Sequence, residues 1–463
     1  MTNPDYYFQL LRQVYSNKRW IVTSDVLAGC TKFVDALKAL GAERALCIAT
    51  SRGAGAGPDP DFAPNPILCP VEAADVMTGI RKSLDAFADL PPEAVAQVDA
   101  FDPAGTAAVL GTIFDDGRDV AGRRKYGARA ASWQALEDKT LVDAFWHAAG
   151  IAHAPSAVVP ATLQALRKKS HELDTGHGCA WAGDNREGFN GGAVYLRWVQ
   201  TATEETAAAE FFAAHCDQVR VMPFLEGIPC SIHGFVFSDY VVALRPCELF
   251  VLRRPGKREL HYARAGSFWD PPLRDREAMQ RIARRAGEEL RQRVGFRGAF
   301  TVDGILTQNG FFPTELNPRF GAALFLMTSG LDLPLLLLNA AIIEEDSFDF
   351  RPEALEAMLL EHVDAHRAGG GLAISSKRGL GSHEAKLIWR GEGFEVDNAA
   401  ADPDAIARLG PASAGSAVLV DLVAQRTPIG PSAAPRVAAA LACLDAHWDL
   451  GIGTLEPALD VRH

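Results

Sequence analysis

The chain has 463 residues, 48% apolar and 22% charged, an ordinary mix for a soluble globular protein and too long for one hydrophobic core, so about three folding units of roughly 100 to 200 residues are expected. A formal charge of -12 argues against general affinity for nucleic-acid backbones or anionic lipid, so no nucleic-acid or membrane partner is expected and any anionic ligand must be met locally. The eight cysteines are scattered without a CxxC pair, and the start MTNPDYYFQLLRQ has no basic stretch before an apolar one; the reading is a cytoplasmic protein with reduced thiols.

Residues 1–125 alternate short apolar runs with amphipathic helices: a strand at 20–22, a helix around 31–40, a strand at 44–50 and a helix around 76–88. That alternation predicts an α/β layer with a mostly parallel sheet. A second unit, 126–350, opens on EDKTLVDAFWHAAG, a helix with Leu141, Val142, Phe145 and Trp146 apolar, stopped near Gly150. Within it a small α+β section, about 155–225, holds a strand after Pro155, a helix at 163–173, two strands flanking GDNREGFNGGA, another helix and the strand VRVMPFLEG. Residues 231–262 read as antiparallel strands, followed by an amphipathic helix at 274–294 and a hairpin. The last unit, 351–463, holds a helix at 353–365, the Gly369 to Gly371 run, strands such as AKLIWRG and AVLVDLV, and a closing helix at 435–445.

The hairpin is GFRGAFTVDGILTQNGFFPTELNPRFGAA, with strands at 299–306 and 311–316 and Asn309-Gly310 marking the turn. Its arms carry Asp303, Glu315 and Asn317. Two carboxylates and an amide suit magnesium, which takes oxygen ligands in near-octahedral geometry and leaves positions for water and nucleotide phosphates. Side chains alternate along a strand, so Glu315 and Asn317 share a face, and Asp303 joins them only if the turn is odd in length. A three-residue turn, Gln308-Asn309-Gly310 with Gly310 left-handed, sets Asp303 opposite Glu315, whereas a two-residue Asn-Gly turn sends it to the other face. The metal reading therefore predicts the bulged turn. Arg319, just past the ligands, would lie where a phosphoryl group or developing oxyanion needs a planar cationic donor.

The hairpin ending in Glu315-x-Asn317-Pro318-Arg319 resembles the C-terminal magnesium motif of the ATP-grasp superfamily, and the order of the other parts is similar over about residues 138–319. The resemblance implies an ATP-grasp fold of α/β and α+β parts, with an N-terminal parallel-sheet domain before it and a C-terminal extension after it. It also implies ATP and Mg2+, the ion held by Asp303, Glu315 and Asn317. Lys139 of EDKTLVDAF is similar to the family's phosphate-binding lysine, and the stretch from Gly183 to Gly192, Gly191 included, to its glycine-rich hairpin over the phosphates. VMPFLEG resembles the hinge, where Met222 and Phe224 would offer backbone groups to adenine and Glu226 would meet the ribose hydroxyls. The sequence departs from the family in having no lysine between Lys169 and Lys257, where a second phosphate-binding lysine is usual, so Arg186 or Lys257 must supply that charge. Met222-Pro223 also stands where many relatives place acidic residues.

The phrases FLEGIPCSIHGFVF, LRPCELFVLRR and AALACLDAHWDLGIG are similar to the peptide ligase of the pheganomycin type, which joins a guanidino-acid to the amino terminus of a peptide and works in natural-product biosynthesis. The activity implied is an ATP-dependent ligase joining an amino-acid-like carboxylic acid to an amine or peptide, with Arg319 and Arg297 as catalytic candidates. Arg245, Glu248, Arg264 and Arg297 are pocket-lining residues or structural ion pairs. The alternatives are another ATP-grasp enzyme, kinase or carboxylase, and a nucleotide-binding regulatory protein without turnover.

Other signals rank lower. Gly53-x-Gly55-x-Gly57 brushes the dinucleotide fingerprint, but Pro58-Asp59 follow and no helix opens there. His362 and His366 in EHVDAH stand four apart, yet the glutamate precedes the first histidine, and a solvated helix is the reading. Neither a GxSxG elbow nor a GxxxxGK[ST] loop occurs.

Overall fold

The computed structural model describes residues 4–191, 193–331, 333–345 and 347–461. Gly192, the end of the expected glycine-rich hairpin, lies outside them. The N-terminal layer is a parallel sheet of β1 (Arg19–Val26), β2 (Arg44–Ser51), β3 (Ile67–Leu68) and β4 (Ala108–Leu110) in the order β3-β2-β1-β4. Apolar side chains run unbroken from Trp20 to Val22 in β1 and from Ala45 to Ala49 in β2 because both faces are covered there. Trp20, Val22, Cys47 and Ala49 pack against the helices Pro4–Tyr15 and Thr31–Ala39, while Ile21, Leu46, Ile48 and Val109 pack against Phe87 and Val98 of the helices Val76–Ala88 and Pro92–Phe101. Strand order reverses between β1 and β4, so their carboxyl ends border a crevice of the kind where ligands bind in open α/β sheets.

The second sheet is antiparallel, β5 (Ala157–Pro160), β8 (Gln218–Pro223), β6 (Cys179–Gly183) and β7 (Leu196–Val199) in that order. One face buries Trp181, Val219 and Val221 against Leu166 and Phe212 of the helices Leu163–Leu173 and Ala202–His215. Alternation turns Ala180, Ala182, Trp198, Arg220 and Met222 to the other face. Thr201 and Glu204 close a reciprocal capping box at the second helix.

The third sheet has 11 strands. It runs from β14 (Gly310–Asn317) through β13 (Gly298–Thr307), β9 (Ile228–Val236), β11 (Cys247–Arg253) and β12 (Leu260–Gly266), with β10 (Val241–Ala243) beside β9. It continues without a break into β15 (Gly369–Ser375), β19 (Gly415–Leu422), β18 (Ala405–Ala412), β16 (His383–Trp389) and β17 (Phe394–Val396). The Gly369 to Gly371 run makes that junction possible: a Cβ on Gly369 would lie 2.7 Å from the Gly266 Cα, and one on Gly370 1.9 Å from the Val420 carbonyl oxygen. The helix Leu273–Val294 covers β9 and β13 through Met279, Ala283 and Leu290. The helix Ala434–Trp448 covers the far end, in a core shared by Phe250, Leu252 and Phe268 with Val418, Val420 and Leu441.

Several expectations change. The helix Pro4–Tyr15 was not foreseen, and the helix expected from Asp138 begins at Val142, with Lys139 in the turn before it. His362 is not solvated: it is 8% exposed, and its Nε2 lies 3.0 Å from the Ser329 carbonyl. Among the described residues no helix is long and apolar enough to cross a membrane.

Candidate active site

Asp303 on β13 stands directly opposite Glu315 on β14, but the turn is not what brings them together. The hairpin closes on Gln308-Asn309 between the paired Thr307 and Gly310, and that register alone would set Asp303 against Thr314 and Glu315 on the other face. The Thr307 hydroxyl holds the tight turn, accepting from the Asn309 N–H at 3.0 Å and donating to the Gly310 carbonyl at 3.1 Å. The extra residue is Thr314, bulged between the Gly304↔Pro313 and Asp303↔Glu315 pairs. Pro313 has no N–H for the ladder and β14 is an edge strand, the setting where bulges are tolerated. The expected three-residue turn is corrected to a two-residue turn with a bulge in the strand, and the shared face results.

β9 extends this face in two rows, Glu315–Asp303–Ser231 and Asn317–Thr301–His233. Asn317 Nδ2 donates to Asp303 Oδ2 at 2.9 Å, and the Ser231 hydroxyl donates to Asp303 Oδ1. Lys139 Nζ lies 3.0 Å from Glu315 Oε1 and 3.4 Å from both oxygens of Asn190 in the glycine-rich loop. Burial, and then the charge of Glu315, push the Asp303 carboxyl up to about 7, against the Ser231 hydrogen bond and the positive charges of Arg319 and Lys139. Two carboxylates brought to one face, with Asp303 buried, are a setting that a divalent cation relieves.

Arg319 donates through Nη2 to Asn317 Oδ1 at 2.8 Å and faces Glu137 across 3.4 Å, with its guanidinium 4.6 Å from the centre of the Phe114 ring. Glu137 is buried and also pairs with Arg129; burial acts to raise its pKa, but the two guanidinium groups hold it below the usual carboxylate range. Arg319 and Arg129 line a cavity of about 40 Å³ with Gly111 and Thr112, just beyond the carboxyl end of β4. Burial and the nearby Arg319 lower His233 to about 3, so it is a neutral imidazole at pH 7. Gly321 must be glycine here, since a Cβ would come 2.4 Å from Thr301 Oγ1 and 2.7 Å from His233 Nε2.

The remaining candidates divide. Met222 lies on the inner face of the second sheet, its sulfur 3.2 Å from Arg220 Nη1. Phe224 stacks on Trp198 at 3.8 Å with planes 7° apart, and its backbone N–H donates to Gly178. Glu226 is held by both ends of Arg253, at 3.1 and 2.8 Å. Gly191 sits against Met77 of the N-terminal layer. The structure does not bring Arg186 or Lys257 to the carboxylate pair: Arg186 bonds Asp217 at 3.2 Å and the Ala214 carbonyl, and Lys257 faces Glu259 at 3.8 Å. Nor is Arg297 there; it precedes Gly298, which pairs with Val236 at the far end of β13, six residues and roughly 20 Å along an extended strand from Asp303. Of the other lining candidates, Arg245 pairs with Asp270 and Asp364, Arg264 with Asp421 at 3.0 Å, and Glu248 accepts from Ser432 and from Ala433 at 2.9 Å.

Ser231, His233 and Arg220 were missed. The signal for the first two is alternation in SIHGFVF, which puts both polar residues on one face of a strand otherwise apolar.

No family model matches the sequence. The biotin carboxylase domain of 2-oxoglutarate carboxylase from Hydrogenobacter thermophilus, solved with MgADP and bicarbonate, superposes with a TM-score of 0.56 at 13% identity, covering 88% of this chain and 86% of that one. The chain has the ATP-grasp fold. N5-carboxyaminoimidazole synthase from Aspergillus clavatus, solved with ADP and 5-aminoimidazole ribonucleotide, superposes with a TM-score of 0.50 at 11% identity over 94% of this chain and 99% of that one. In sequence, the phosphoribosylamine–glycine ligase of Streptomyces coelicolor is 30% identical over 125 residues, 26% of this chain and 30% of that protein's length.

Proposed function

We propose that the protein is an ATP-dependent acid–amine ligase working through an acyl phosphate, with Asp303, Glu315 and Asn317 holding Mg2+. The observation that carries this reading is the bulge that brings those three oxygen donors to one face, with Lys139 and Arg319 against them. The donor set fits magnesium, which would supply charge neutralisation at the nucleotide phosphates. Lys139 would meet the phosphates, a role supported by its position between Glu315 and Asn190 of the glycine-rich loop. The acid's carboxylate oxygen attacks the γ-phosphorus and ADP leaves; the amine nitrogen then attacks the acyl carbon, loses a proton, and phosphate leaves. Arg319 would hold the oxyanion of that second step, and the glycine-rich loop would keep water from the acyl phosphate. The phosphoribosylamine–glycine ligase that matches part of this chain in sequence supports the class, and the ATP-grasp fold is consistent with it. Within it we propose an amino-acid-like acid and an amine or peptide, on the similarity to the pheganomycin-type peptide ligase. Incubation with ATP, Mg2+, amino acids and hydroxylamine is expected to release ADP and trap a hydroxamate; AMP as product would overturn the reading.

The metal reading has a pH signature. Asp303 binds a cation as the carboxylate, but its folded pKa is raised, so apparent Mg2+ affinity should fall as pH drops through about 7. Without metal, the raised pKa costs stability as pH climbs from the unfolded-state value towards 7, and the ion removes that cost. Mg2+ with ADP is therefore expected to raise the melting temperature more at pH 8 than at pH 6. Equal shifts in the two melts would contradict the assignment of Asp303.

A further inference from the structure

We propose that Arg220 is a positioning residue for the carboxylate pair: it holds the bulged Thr314, and with it the one-residue offset that sets Glu315 opposite Asp303. This rests on the magnesium–nucleotide reading of that pair. Arg220 stands on β8 directly across from Ala182, on the inner face of the second sheet, and is 2% exposed. Its N–H groups are all directed. Nε faces the two Asp143 oxygens at 2.9 and 3.0 Å, Nη2 faces Asp143 at 2.7 Å and Ser156 at 3.5 Å, and Nη1 faces the Met222 sulfur at 3.2 Å and the Thr314 carbonyl at 3.3 Å.

A side chain so fully engaged is not waiting for a phosphate. One edge of the planar fork is fixed by a bidentate carboxylate, which leaves the other edge no freedom and aims it at Thr314. The bulge takes Thr314 out of the strand pairing, so its carbonyl must find a donor elsewhere. Arg220 provides one from the second sheet, while the Thr314 hydroxyl donates back to the Asp303 carbonyl at 3.3 Å. Asp143 lies in the helix Val142–Ala148, just after Lys139, so the Asp143–Arg220–Thr314 contacts tie the segment that carries the lysine to the second sheet and the hairpin register. Because side chains alternate, loss of the bulge would turn Glu315 and Asn317 away from Asp303. The effect should fall on the metal and spare nucleotide contacts made without it.

The test is ADP affinity, measured calorimetrically with excess Mg2+ and again with excess EDTA, for the wild type, Arg220→Lys and the double variant R220M/D143N. The double variant removes the buried Arg220 charge together with its half-buried partner Asp143, so the guanidinium is not simply deleted from beside a carboxylate. The Mg2+ enhancement of ADP affinity is expected to drop at least about tenfold in both variants, the scale seen when groups orienting metal ligands are lost, with metal-free affinity within about twofold of wild type. A folded variant keeping the enhancement within about twofold would overturn the role of Arg220; if the double variant does not fold, Arg220→Lys carries the same thresholds, since a single ammonium cannot span Asp143 and Thr314 as the fork does. A wild type whose ADP affinity ignores Mg2+ would overturn the parent reading instead.

Discussion

Glu315→Ala is expected to leave a folded protein whose ADP release with amino acids and peptides falls at least roughly 1,000-fold, since a metal's stabilisation of transferring phosphoryl charge is worth several kcal/mol and each factor of ten is about 1.4 kcal/mol. The fold should survive because the Glu315 side chain is 26% exposed and Lys139, its partner, keeps the Asn190 oxygens. Removing the carboxylate also relieves its repulsion of Asp303, whose raised pKa should then fall towards the ordinary range. Asp303→Ala should abolish turnover similarly. Coupled ADP assays beside thermal melts check both; a folded Glu315→Ala protein with full turnover would remove the hairpin from the mechanism.

A chain ending at His366 is expected to be insoluble, or to melt without a cooperative transition. The residues beyond are an extension in sequence only: β12 pairs with β15, and Phe250, Leu252 and Phe268 are fully buried against strands and a helix that the truncation deletes. Uncovering three such side chains costs about 5 to 9 kcal/mol, a large part of the 5 to 15 kcal/mol that typically separates folded from unfolded protein. It would also bare the β12 edge and strip Glu248, a buried carboxyl raised to about 7 by desolvation, of its bonds to Ser432 and Ala433. Expression yield and a melt of any soluble fraction decide it; a soluble truncation melting within a few degrees of the full chain would refute the shared core.

What could be read in advance was what is local. Asp303, Glu315, Asn317 and Arg319 lie on adjoining arms of one hairpin, so alternation and spacing sufficed to group them. The source of their register was not legible: Asn309-Gly310 is a strong turn signal, but the Thr307 hydroxyl pulls the turn one residue back and the edge-strand Pro313 admits the compensating bulge. Arg186 and Lys257, the candidates for a second phosphate-facing charge, pair away from the carboxylate face, with Asp217 and Glu259. Cross-strand pairing decides which cation faces the hairpin, and only the fold shows that Arg220, a lone charge in VRVMP, stands opposite Ala182 and reaches Thr314. The glycine run at 369–371 was visible, but the backbone approach to Gly266 that requires it was not.

The Asp303 face is proposed as a magnesium–nucleotide site. Calorimetric titration of the wild-type protein with ADP, in Mg2+ and in EDTA, tests it most directly. One ADP per chain, bound more tightly with Mg2+ and with that gain lost in Asp303→Ala, is the expected result. Absence of ADP binding, or equal affinity with and without the metal, would contradict it.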